Sequence, residues 1–345
     1  MIKPNPHFKI TYHTFEQKES IEDLLEMLQD DSNFISCRTS GSTGIPKLIQ
    51  FSKKSLRTSA QNSIDYFKLQ EKQSATLCIS VDFVAGLMML VRAIISGMHL
   101  HVTPVSSFTY NYINFKVDFI ALFPKQLDGF INHPKGIQIL KKIRNILVGG
   151  APINLNTEKQ LISEEITIHH SYGMTETLTH VAIKKTGFKG EDTYHALPGI
   201  SFDIKNDCLA IHYPEIRDQK LTTNDIVELI DDSSFKWLGR SDFVINTGGY
   251  KISPEELEQK IAGLFNLDYM IMGIVDNEFG QKIAIVFKGQ APQVMSKKLF
   301  PKNIHPYEIP KLYTVLNEFH STQNGKLDRR MTALKTKESV WKKIL

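Results

Sequence analysis

The sequence predicts an α/β protein, with a large N-terminal α/β domain of mixed sheets and a small α+β domain at the C-terminus. Buried-looking strands alternate with helices over the first part of the chain, which is typical of a mostly parallel sheet. Further on, a helix start at Ser253 precedes two apolar runs that predict a hairpin. We therefore expect one domain over residues 1–241 and another over residues 242–345.

The composition is that of a globular, enzyme-sized protein. The chain has 345 residues, of which 41% are hydrophobic and 23% are charged. The longest apolar run, residues 83–102, contains Arg92 and two histidines and is a poor candidate for a membrane span. The first residues lack the apolar stretch of a signal peptide. The sequence thus predicts a cytoplasmic protein without membrane insertion, and it leaves a homo-oligomer open.

Cysteine spacing and charge exclude some further classes of protein. The three cysteines, Cys37, Cys78 and Cys208, are too far apart in sequence to suggest a disulfide framework or a zinc site. Residues 281–345 contain thirteen Lys or Arg and four Asp or Glu, although the whole chain carries a net charge of only +4. Such a basic end could face a polyanionic small molecule, a nucleic acid or solvent alone. Since no basic repeat with interleaved aromatic residues is present, we predict no nucleic-acid partner.

The first predicted elements lead into a loop that resembles a phosphate-binding loop. Residues 8–12 are expected to be extended, residues 20–29 to form an acidic amphipathic helix, and residues 34–38 to form a strand. The loop that follows combines glycines, which allow close backbone approach, with hydroxyls and a lysine that can contact phosphate oxygens. These candidate residues are Thr39, Ser40, Gly41, Ser42, Thr43, Gly44 and Lys47.

The flanks of this loop argue against a Walker loop, which needs four residues between its glycines and a helix after its lysine. Here two residues separate Gly41 from Gly44, and the segment 48–51 has strand character. The loop should therefore join two strands. An ordinary Ser/Thr/Gly hairpin turn is the alternative.

The next elements are a helix over residues 53–69 capped by Ser52, a strand over 76–81, and an apolar helix over 82–98. Arg92 is the exception in this buried helix, because a buried guanidinium must be paired. Its partner is either a distant carboxylate of the protein, in an internal ion pair, or a carboxylate of a ligand.

Two later strands are expected to point towards one crevice at the carboxyl edge of the sheet. The strand that starts near residue 144 runs into the turn Gly149-Gly150-Ala151-Pro152. The strand over 166–170 is expected to end in Ser171-Tyr172-Gly173-Met174-Thr175-Glu176-Thr177. Tyr172 can stack on a purine, and Glu176 is a hard oxygen ligand that suits Mg²⁺.

Together with three later segments, these motifs resemble the acyl-adenylate-forming ligases, a family that includes acyl-CoA synthetases, peptide-synthetase adenylation domains and firefly luciferase. The later segments are Thr223-Asn224-Asp225, the run from Trp237 to Glu258, and the run from His320 to Arg329, which contains Gly325-Lys326. The resemblance implies a mobile C-terminal lid, with helix 254–263 and hairpin 269–288, that rotates about Asp242. Most family members have a longer segment before the phosphate loop, so one wall of the usual N-terminal domain is expected to be missing or replaced.

The resemblance also implies roles for individual residues. Lys326, Thr175, Glu176 and Arg240 would act in catalysis, with Glu176 holding Mg²⁺. ATP and CoA would be bound by the loop residues named above and by Gly150, Ala151, Pro152, Tyr172, Asp225, Gly248, Gly249 and Lys251.

The helix over 82–98 resembles the pocket helix of o-succinylbenzoate:CoA ligases, which activate a dicarboxylic aromatic acid during menaquinone synthesis. These enzymes commonly have histidine where this chain has Phe83. The resemblance implies a substrate pocket formed by Phe83, Gly86, Arg92, Ser171, Gly173 and Thr177.

The implied reaction is ATP-dependent formation of an acyl-AMP followed by transfer of the acyl group to CoA. A ligase for another acyl or aryl acid, a non-catalytic adenylate-binding relative and a phosphate-loop NTPase remain as alternatives. The NTPase would hydrolyse ATP to ADP without any acid, whereas the ligase would release AMP and pyrophosphate only with one.

Overall fold

The structure, a computed structural model, describes residues 1–38, 48–321 and 327–345. These residues divide into two compact units. Unit 1 comprises Met1–Phe202, Ile211–Lys220 and Asp231–Ser234, and unit 2 comprises Asp203–Ala210, Leu221–Ile230 and Phe235–Leu345. The expected domain boundary at residue 242 stays a prediction. No helix in the described ranges is long and apolar enough to cross a membrane.

Unit 1 is built on a mixed sheet with helices between its strands. The elements, in chain order, are β1 (Lys9–Tyr12), α1 (Lys18–Gln29), β2 (Phe34–Arg38), β3 (Leu48–Ser52), α2 (Lys53–Phe67), β4 (Ser74–Leu77), α3 (Val84–Ser96), β5 (His99–Val102), β6 (Phe119–Leu122), α4 (Pro124–Ile131), α5 (Pro134–Leu140), β7 (Asn145–Val148), α6 (Leu155–Ser163), β8 (Thr167–Met174), β9 (Thr179–Gly187) and β10 (Tyr194–Ala196).

Eight of these strands are neighbours in the order β1-β5-β4-β6-β7-β8-β9-β10. All pairs from β1 to β8 are parallel, whereas β9 is antiparallel to β8 and to β10. Because parallel strands end at the same edge, the segments after β7 and at the end of β8 lie at one edge of the sheet, where α/β proteins bind ligands. The predicted α/β class with mixed sheets is confirmed.

The strands on both sides of the predicted phosphate loop form a separate antiparallel pair. β2 pairs with β3, with Phe34 opposite Ser52 and Arg38 opposite Leu48. The prediction that the loop joins two strands is therefore confirmed for its flanks, while residues 39–47 lie outside the described residues. Ser52 caps α2 as expected, because its side chain accepts a hydrogen bond from the Ser55 N–H.

Two elements are shorter than the sequence predicts. The strand expected over 76–81 runs from Ser74 to Leu77. Further on, Ser80 Oγ bonds Asp82 in a turn, and the Val81 N–H donates to the Gln17 side chain at 2.9 Å. The helix expected over 82–98 runs from Val84 to Ser96, and Gly97 ends it with a left-handed φ of 74°.

The elements that lie wholly or mostly in unit 2 are β11 (Ser201–Lys205), β12 (Cys208–His212), β13 (Leu221–Thr222), β14 (Asp225–Asp231), β15 (Ser234–Arg240), β16 (Ile245–Thr247), β17 (Tyr250–Ile252), α7 (Pro254–Lys260), β18 (Tyr269–Asp276), β19 (Gly280–Lys288), β20 (Leu312–Leu316), α8 (Arg329–Lys335) and β21 (Lys342–Lys343). Strands β14 and β15 are neighbours, and β12 lies between β11 and β13. The smaller α+β part contains the sheet β17-β16-β19-β20-β21, to which β18 adds by pairing with β19.

The α+β part of unit 2 agrees with the sequence in type and order. Its core includes Leu257 from α7 together with Ile285 and Phe287 from β19. The expected hairpin is present as β18 and β19, which pair antiparallel from Tyr269 to Asp276. The helix is shorter than expected, because it ends at Lys260 and a turn leads to Gly263.

Candidate functional site

The turn predicted to lie along adenine is tied to β8 through a buried histidine. His170 Nε2 lies 3.1 Å from the Ala151 carbonyl oxygen, and its Nδ1 lies 3.2 Å from the Tyr194 hydroxyl. Since a carbonyl only accepts, neutral His170 must donate from Nε2 and accept the Tyr194 hydroxyl at Nδ1. The Tyr172 ring packs against Tyr194 at a centroid distance of 5.9 Å. His170 therefore joins the Gly150–Pro152 turn to the tyrosine predicted to stack on the base, a role that sequence reasoning missed.

The motif over residues 171–177 was predicted to follow the end of its strand, and the structure corrects this prediction. β8 continues from His170 through Met174, because Ser171, Tyr172 and Gly173 keep pairing with β9 across a bulge. Gly173 is needed there, since a Cβ at this position would lie 1.9 Å from the Thr179 carbonyl oxygen. The motif is thus part of the sheet edge.

The hydroxyl-bearing residues of this motif differ in what they contact. Ser171 Oγ donates to the Val148 carbonyl oxygen at 3.2 Å, which holds β8 to the end of β7. Thr177 is buried, and its Oγ1 accepts from the Met174 N–H at 3.1 Å within the turn. These bonds give both side chains a structural role, and their predicted contact with the acid stays a prediction.

Thr175 and Glu176 lie in the short turn that follows β8, where Glu176 is exposed. Among residues 1–38, 48–321 and 327–345, no group of three or more His, Cys, Asp or Glu side chains is arranged to hold a metal. Mg²⁺ commonly binds one or two carboxylates and completes its shell with phosphate oxygens and water. An exposed glutamate next to a threonine hydroxyl fits a Mg²⁺ ion that is also bound by phosphate oxygens and water. The glutamate would not hold the ion by itself.

Arg92 is 1% exposed and has no acidic partner among the described residues. Its Nη2 donates to Thr179 Oγ1 at 3.2 Å, and its Nε has no hydrogen-bond partner among the described residues. No carboxylate in the described chain lies within 4.0 Å of the guanidinium, and the segments 39–47 and 322–326 contain no Asp or Glu. Burial lowers the pKa of Arg92 to about 10, so the group is still charged at neutral pH. The internal ion pair that the sequence left open is therefore not found within residues 1–38, 48–321 and 327–345.

The residue that contacts Arg92 has an unusual backbone. Thr179 has a φ of 95° and follows Leu178, whose φ is 54°. A positive φ in a β-branched residue is a genuine outlier, and such strain concentrates at functional sites. His180, the next residue, is buried and bonds Ser63 Oγ through Nε2 at 3.0 Å. Arg92, Thr179 and His180 thus form a polar cluster between α3 and β9.

The other pocket residues predicted on α3 do not share a face with Arg92. Phe83 is half-buried at the N-cap of the helix. Gly86 packs against the preceding turn, where a Cβ would lie 2.2 Å from the Ser80 carbonyl oxygen. Packing therefore accounts for this glycine, and its contact with the acid stays a prediction.

The buried histidines of unit 1 make its stability depend on pH. Burial lowers the pKa of His170 and of His101 to about 4, and burial followed by the Arg92 charge lowers that of His180 well below its ordinary 6.5. All three are neutral when folded but protonate near pH 6.5 when unfolded, so the unfolded state binds more protons below that pH. We expect the free energy of unfolding to be highest above pH 6.5 and to fall as the pH decreases towards 4.

Urea-unfolding midpoints at about pH 7.5, 6 and 5 measure this effect. His170→Gln, which keeps an N–H donor but does not titrate, should make the decrease shallower. A midpoint that stays constant over this range would contradict the burial of neutral histidines.

In unit 2, the predicted ribose-binding carboxylate is held in place. Asp225 is 7% exposed, and its Oδ1 accepts a hydrogen bond from Trp237 Nε1 at 3.1 Å. Its backbone N–H donates to Thr223 Oγ1 at 3.0 Å, which fixes the turn. Further on, Arg240 Nη2 lies 2.9 Å from Asp242 Oδ2, which also lies 3.5 Å from Arg330 Nη2. The predicted hinge residue therefore lies between two guanidinium groups.

The glycine segment predicted to bind CoA adjoins an aromatic stack that sequence reasoning missed. Gly248 and Gly249 have positive φ values of 55° and 85°, and Lys251 is exposed. Tyr250 stacks on Tyr307 at 4.4 Å between ring centroids. Tyr307 stacks in turn on His305 at 5.6 Å. The partly exposed rings of Tyr250 and Tyr307 are 57 positions apart in the sequence, so only the folded structure shows that they stack.

Two groups of predicted site residues lie outside the described residues. They are the residues of the predicted phosphate loop, Thr39, Ser40, Gly41, Ser42, Thr43, Gly44 and Lys47, and the predicted catalytic residue Lys326. Their roles stay predictions.

Comparison with known proteins gives the family. A family model described as AMP-binding enzyme matches residues 6–208. The 2-succinylbenzoate–CoA ligase of Listeria innocua is 24% identical over an alignment of 350 positions, which covers 93% of this chain and 74% of the relative.

Two solved structures are similar as well. An acyl-CoA synthetase (AMP-forming)/AMP-acid ligase II-like protein from Dyadobacter fermentans is 32% identical, with a TM-score of 0.61, over 91% of this chain and 92% of that chain. The o-succinylbenzoate coenzyme A synthetase of Bacillus subtilis, in complex with ATP and magnesium ion, has a TM-score of 0.71 at 20% identity, over 86% of this chain and 69% of that chain. The second similarity concerns the fold alone. Since the family model covers more than half of its length, this chain belongs to the AMP-binding enzyme family and is an adenylate-forming acid–CoA ligase.

Proposed function

We propose that the protein activates o-succinylbenzoate with ATP through an acyl-AMP intermediate and transfers the acyl group to CoA, releasing AMP and pyrophosphate. The choice of acid rests on the buried guanidinium of Arg92, which has no carboxylate partner in the part of the chain that the structure describes. The 2-succinylbenzoate–CoA ligase among the relatives supports the same choice.

A dicarboxylic acid explains why a charge is kept at this position. Only one carboxylate of o-succinylbenzoate is adenylated, so the other enters the pocket unreacted and needs a counter-charge. An unpaired buried cation costs several kcal/mol, and a guanidinium can bind a carboxylate with two parallel hydrogen bonds. Two polar groups are available to the carboxylate here. They are Nε of Arg92, which has no partner among the described residues, and the Thr179 hydroxyl, 3.2 Å from Nη2.

The first half-reaction converts a poor acyl donor into a mixed anhydride. A carboxylate oxygen of the acid attacks the α-phosphorus of ATP, and the bond between that phosphorus and pyrophosphate breaks. Lys326 and Thr175 are proposed to stabilise the negative charge that develops on the α-phosphate. Mg²⁺ held at Glu176 would neutralise phosphate charge. The adenine would lie between the turn at Gly150 and the ring of Tyr172.

The second half-reaction uses residues of unit 2. The thiol of CoA attacks the acyl carbon of the acyl-AMP, and AMP leaves. We propose that the lid rotates about Asp242 and presents Gly248, Gly249 and Lys251 to the pantetheine. Tyr250, Tyr307 and His305 offer stacked rings beside this segment, and the basic surplus of residues 281–345 suits the phosphates of CoA.

A panel of acids tests the proposal directly. The protein is incubated with ATP, Mg²⁺ and CoA and with o-succinylbenzoate, benzoate or a fatty acid, while AMP release and thioester formation are measured. We expect both products with o-succinylbenzoate at the highest kcat/KM. Preference for another acid would contradict the proposed substrate but not the ligase activity. If no AMP were released with any acid, a non-catalytic adenylate-binding protein would be favoured.

A further inference from the structure

The contact between Arg92 and Thr179 is part of a longer series of hydrogen bonds that joins α3, β9 and α2. Arg92 Nη2 donates to Thr179 Oγ1 at 3.2 Å. Thr179 Oγ1 lies 3.4 Å from His180 Nδ1, and His180 Nε2 lies 3.0 Å from Ser63 Oγ. We call Arg92, Thr179, His180 and Ser63 the Arg92 network. All four residues lie in unit 1, and Thr179 is half-buried whereas the other three are buried.

The hydrogen bonds of the Arg92 network run in one direction. Ser63 Oγ donates to the Ser59 carbonyl oxygen at 3.1 Å, so Ser63 accepts from His180 Nε2. His180 is neutral, because burial and then the charge of Arg92 lower its pKa well below 6.5. With Nε2 protonated, Nδ1 of the neutral ring is an acceptor. The Thr179 hydroxyl therefore accepts from Arg92 and donates to His180.

The acceptors in the Arg92 network are neutral. Two hydroxyl oxygens and an imidazole nitrogen fix the position of the guanidinium but contribute no negative charge. Buried charges in proteins are normally paired with a charge of opposite sign, since an ion loses its hydration on burial. Nε of Arg92 also has no hydrogen-bond partner among the described residues. The network thus orients Arg92 and leaves both its charge and one of its donors for an anionic ligand.

The backbone that carries Thr179 is held in a strained conformation. Leu178 and Thr179 have φ values of 54° and 95°, which persist in residues other than glycine only where the surroundings enforce them. Ser59 Oγ donates to the Leu178 carbonyl oxygen at 2.9 Å, and Thr177 Oγ1 donates to the Thr179 carbonyl oxygen at 2.8 Å. A Cβ at Gly173 would lie 1.9 Å from the same oxygen. Contacts from α2, from β8 and from the turn after β8 therefore fix where the Thr179 side chain lies.

We propose that Thr179 determines specificity for a dicarboxylic acid, because it holds the Arg92 guanidinium without neutralising it and so leaves the charge for the carboxylate that is not adenylated. The inference rests on the proposed function, which takes the acid to be o-succinylbenzoate. The bond from the Thr179 hydroxyl to His180 is long, at 3.4 Å, so its proton can turn to an arriving carboxylate at little cost. A carboxylate on residue 179 itself would instead take the place of the ligand.

Four substitutions of Thr179 test the proposal. Thr179→Asp brings a carboxylate to Arg92, and Thr179→Asn is its matched control with nearly the same shape and no charge. Both new side chains tolerate a positive φ better than threonine does. Thr179→Val removes the hydroxyl but keeps the branched shape, and Thr179→Ser keeps the hydroxyl. AMP release is measured with ATP, Mg²⁺ and CoA, and gives the ratio of kcat/KM for o-succinylbenzoate to kcat/KM for benzoate.

We expect Thr179→Asp to lower this ratio by about 100-fold, because the new carboxylate pairs with Arg92 and repels that of the acid. Thr179→Asn should lower it far less. Thr179→Val should lower it about tenfold, the cost of losing a hydrogen bond to a charged group, and Thr179→Ser should restore most of it. A role confined to folding would change kcat/KM for both acids alike and leave the ratio as it is in the unaltered protein.

A double-mutant cycle with Arg92→Leu tests the same contact without any activity. With Arg92 present, Thr179→Asp should melt about 2 °C or more above Thr179→Asn, because the two charges pair. In the Arg92→Leu background the order should reverse, because the carboxylate is then partly buried without a partner. The same order in both backgrounds would show that residue 179 does not face the charge of Arg92 and would overturn the inference.

Equal ratios for Thr179→Asp and Thr179→Asn, or an unaltered ratio for Thr179→Val, would also overturn the inference. If Thr179→Asp did not fold, the comparison of Thr179→Val with Thr179→Ser would decide. If the unaltered protein released no AMP with o-succinylbenzoate, or preferred benzoate, the proposed function would fail by itself. The melting temperatures would still judge the Arg92 network in that case, because their order in the two backgrounds reports the charge beside residue 179.

Discussion

Replacing Arg92 with leucine is expected to reduce kcat/KM for o-succinylbenzoate by a factor that corresponds to roughly 2–5 kcal/mol, the usual cost of removing one partner of a buried charge pair. With benzoate, which lacks the second carboxylate, the same substitution should cost little or should help. The reason is that Arg92, which is 1% exposed and has no acidic neighbour in the described chain, would pair only with a carboxylate brought by the substrate. Steady-state kinetics with both acids give the ratio that decides the question.

Stability provides a second readout for Arg92→Leu. Removing a buried cation that lacks a carboxylate partner should leave the melting temperature unchanged or raise it, because the cost of burying the charge disappears. Lys53→Met is the matched control. Lys53 is also buried, at 4% exposure, but its Nζ lies 2.7 Å from Asp30 Oδ1. Lys53→Met should lower the melting temperature and leave the ratio of kcat/KM between the two acids unchanged.

The result that would contradict the proposed substrate is an equal loss with both acids. Arg92 would then support the fold through Thr179 and would not recognise the acid. The choice of o-succinylbenzoate would then rest on similarity to relatives alone.

Replacing Lys326 with alanine is expected to lower acid-dependent pyrophosphate release by about 100- to 1000-fold, the usual cost of removing one preorganised donor to a developing negative charge. Thioester formation from preformed acyl-AMP should be spared, because the lysine is proposed to act only while the α-phosphate gains charge. The two half-reactions are measured separately, with radioactive pyrophosphate exchange for the first and thioester detection for the second.

Lys335→Ala is the control for charge in this prediction, since it removes an exposed cation from the same basic segment. It should leave acid-dependent pyrophosphate release, the half-reaction that does not use CoA, unchanged. If Lys326→Ala slowed both half-reactions equally, the proposed division of labour between the two lid positions would be refuted.

The sequence by itself was sufficient for the class of fold and for much of the order of elements. The alternation of apolar strands and helices predicted the mixed sheet, and the cap at Ser52 predicted the start of α2. The apolar runs of β18 and β19 predicted their hairpin. These features follow from local patterns, because the period of apolar residues, the capping side chains and the turn residues act within a few positions.

Element ends and several roles depended on contacts that no local pattern reveals. The Val81 N–H, predicted to lie in a strand, instead bonds the Gln17 side chain, and β8 continues through its motif because β9 supplies partners. The glycine at 86 was predicted to line the pocket, but the Ser80 carbonyl oxygen beside it explains why no side chain fits.

Arg92 and Arg329 also illustrate the difference between what the sequence and the tertiary structure determine. The sequence showed a charged residue in an apolar helix and left its partner open, because a partner can come from any distance along the chain. Tertiary structure decided it. In the described part of the chain, folding brings Thr179 and no carboxylate to Arg92, but it brings Glu255 and Glu258 to Arg329 across more than 70 positions. A sequence motif shows which chemical groups are present, whereas the charged side chains that surround each group depend on the whole fold.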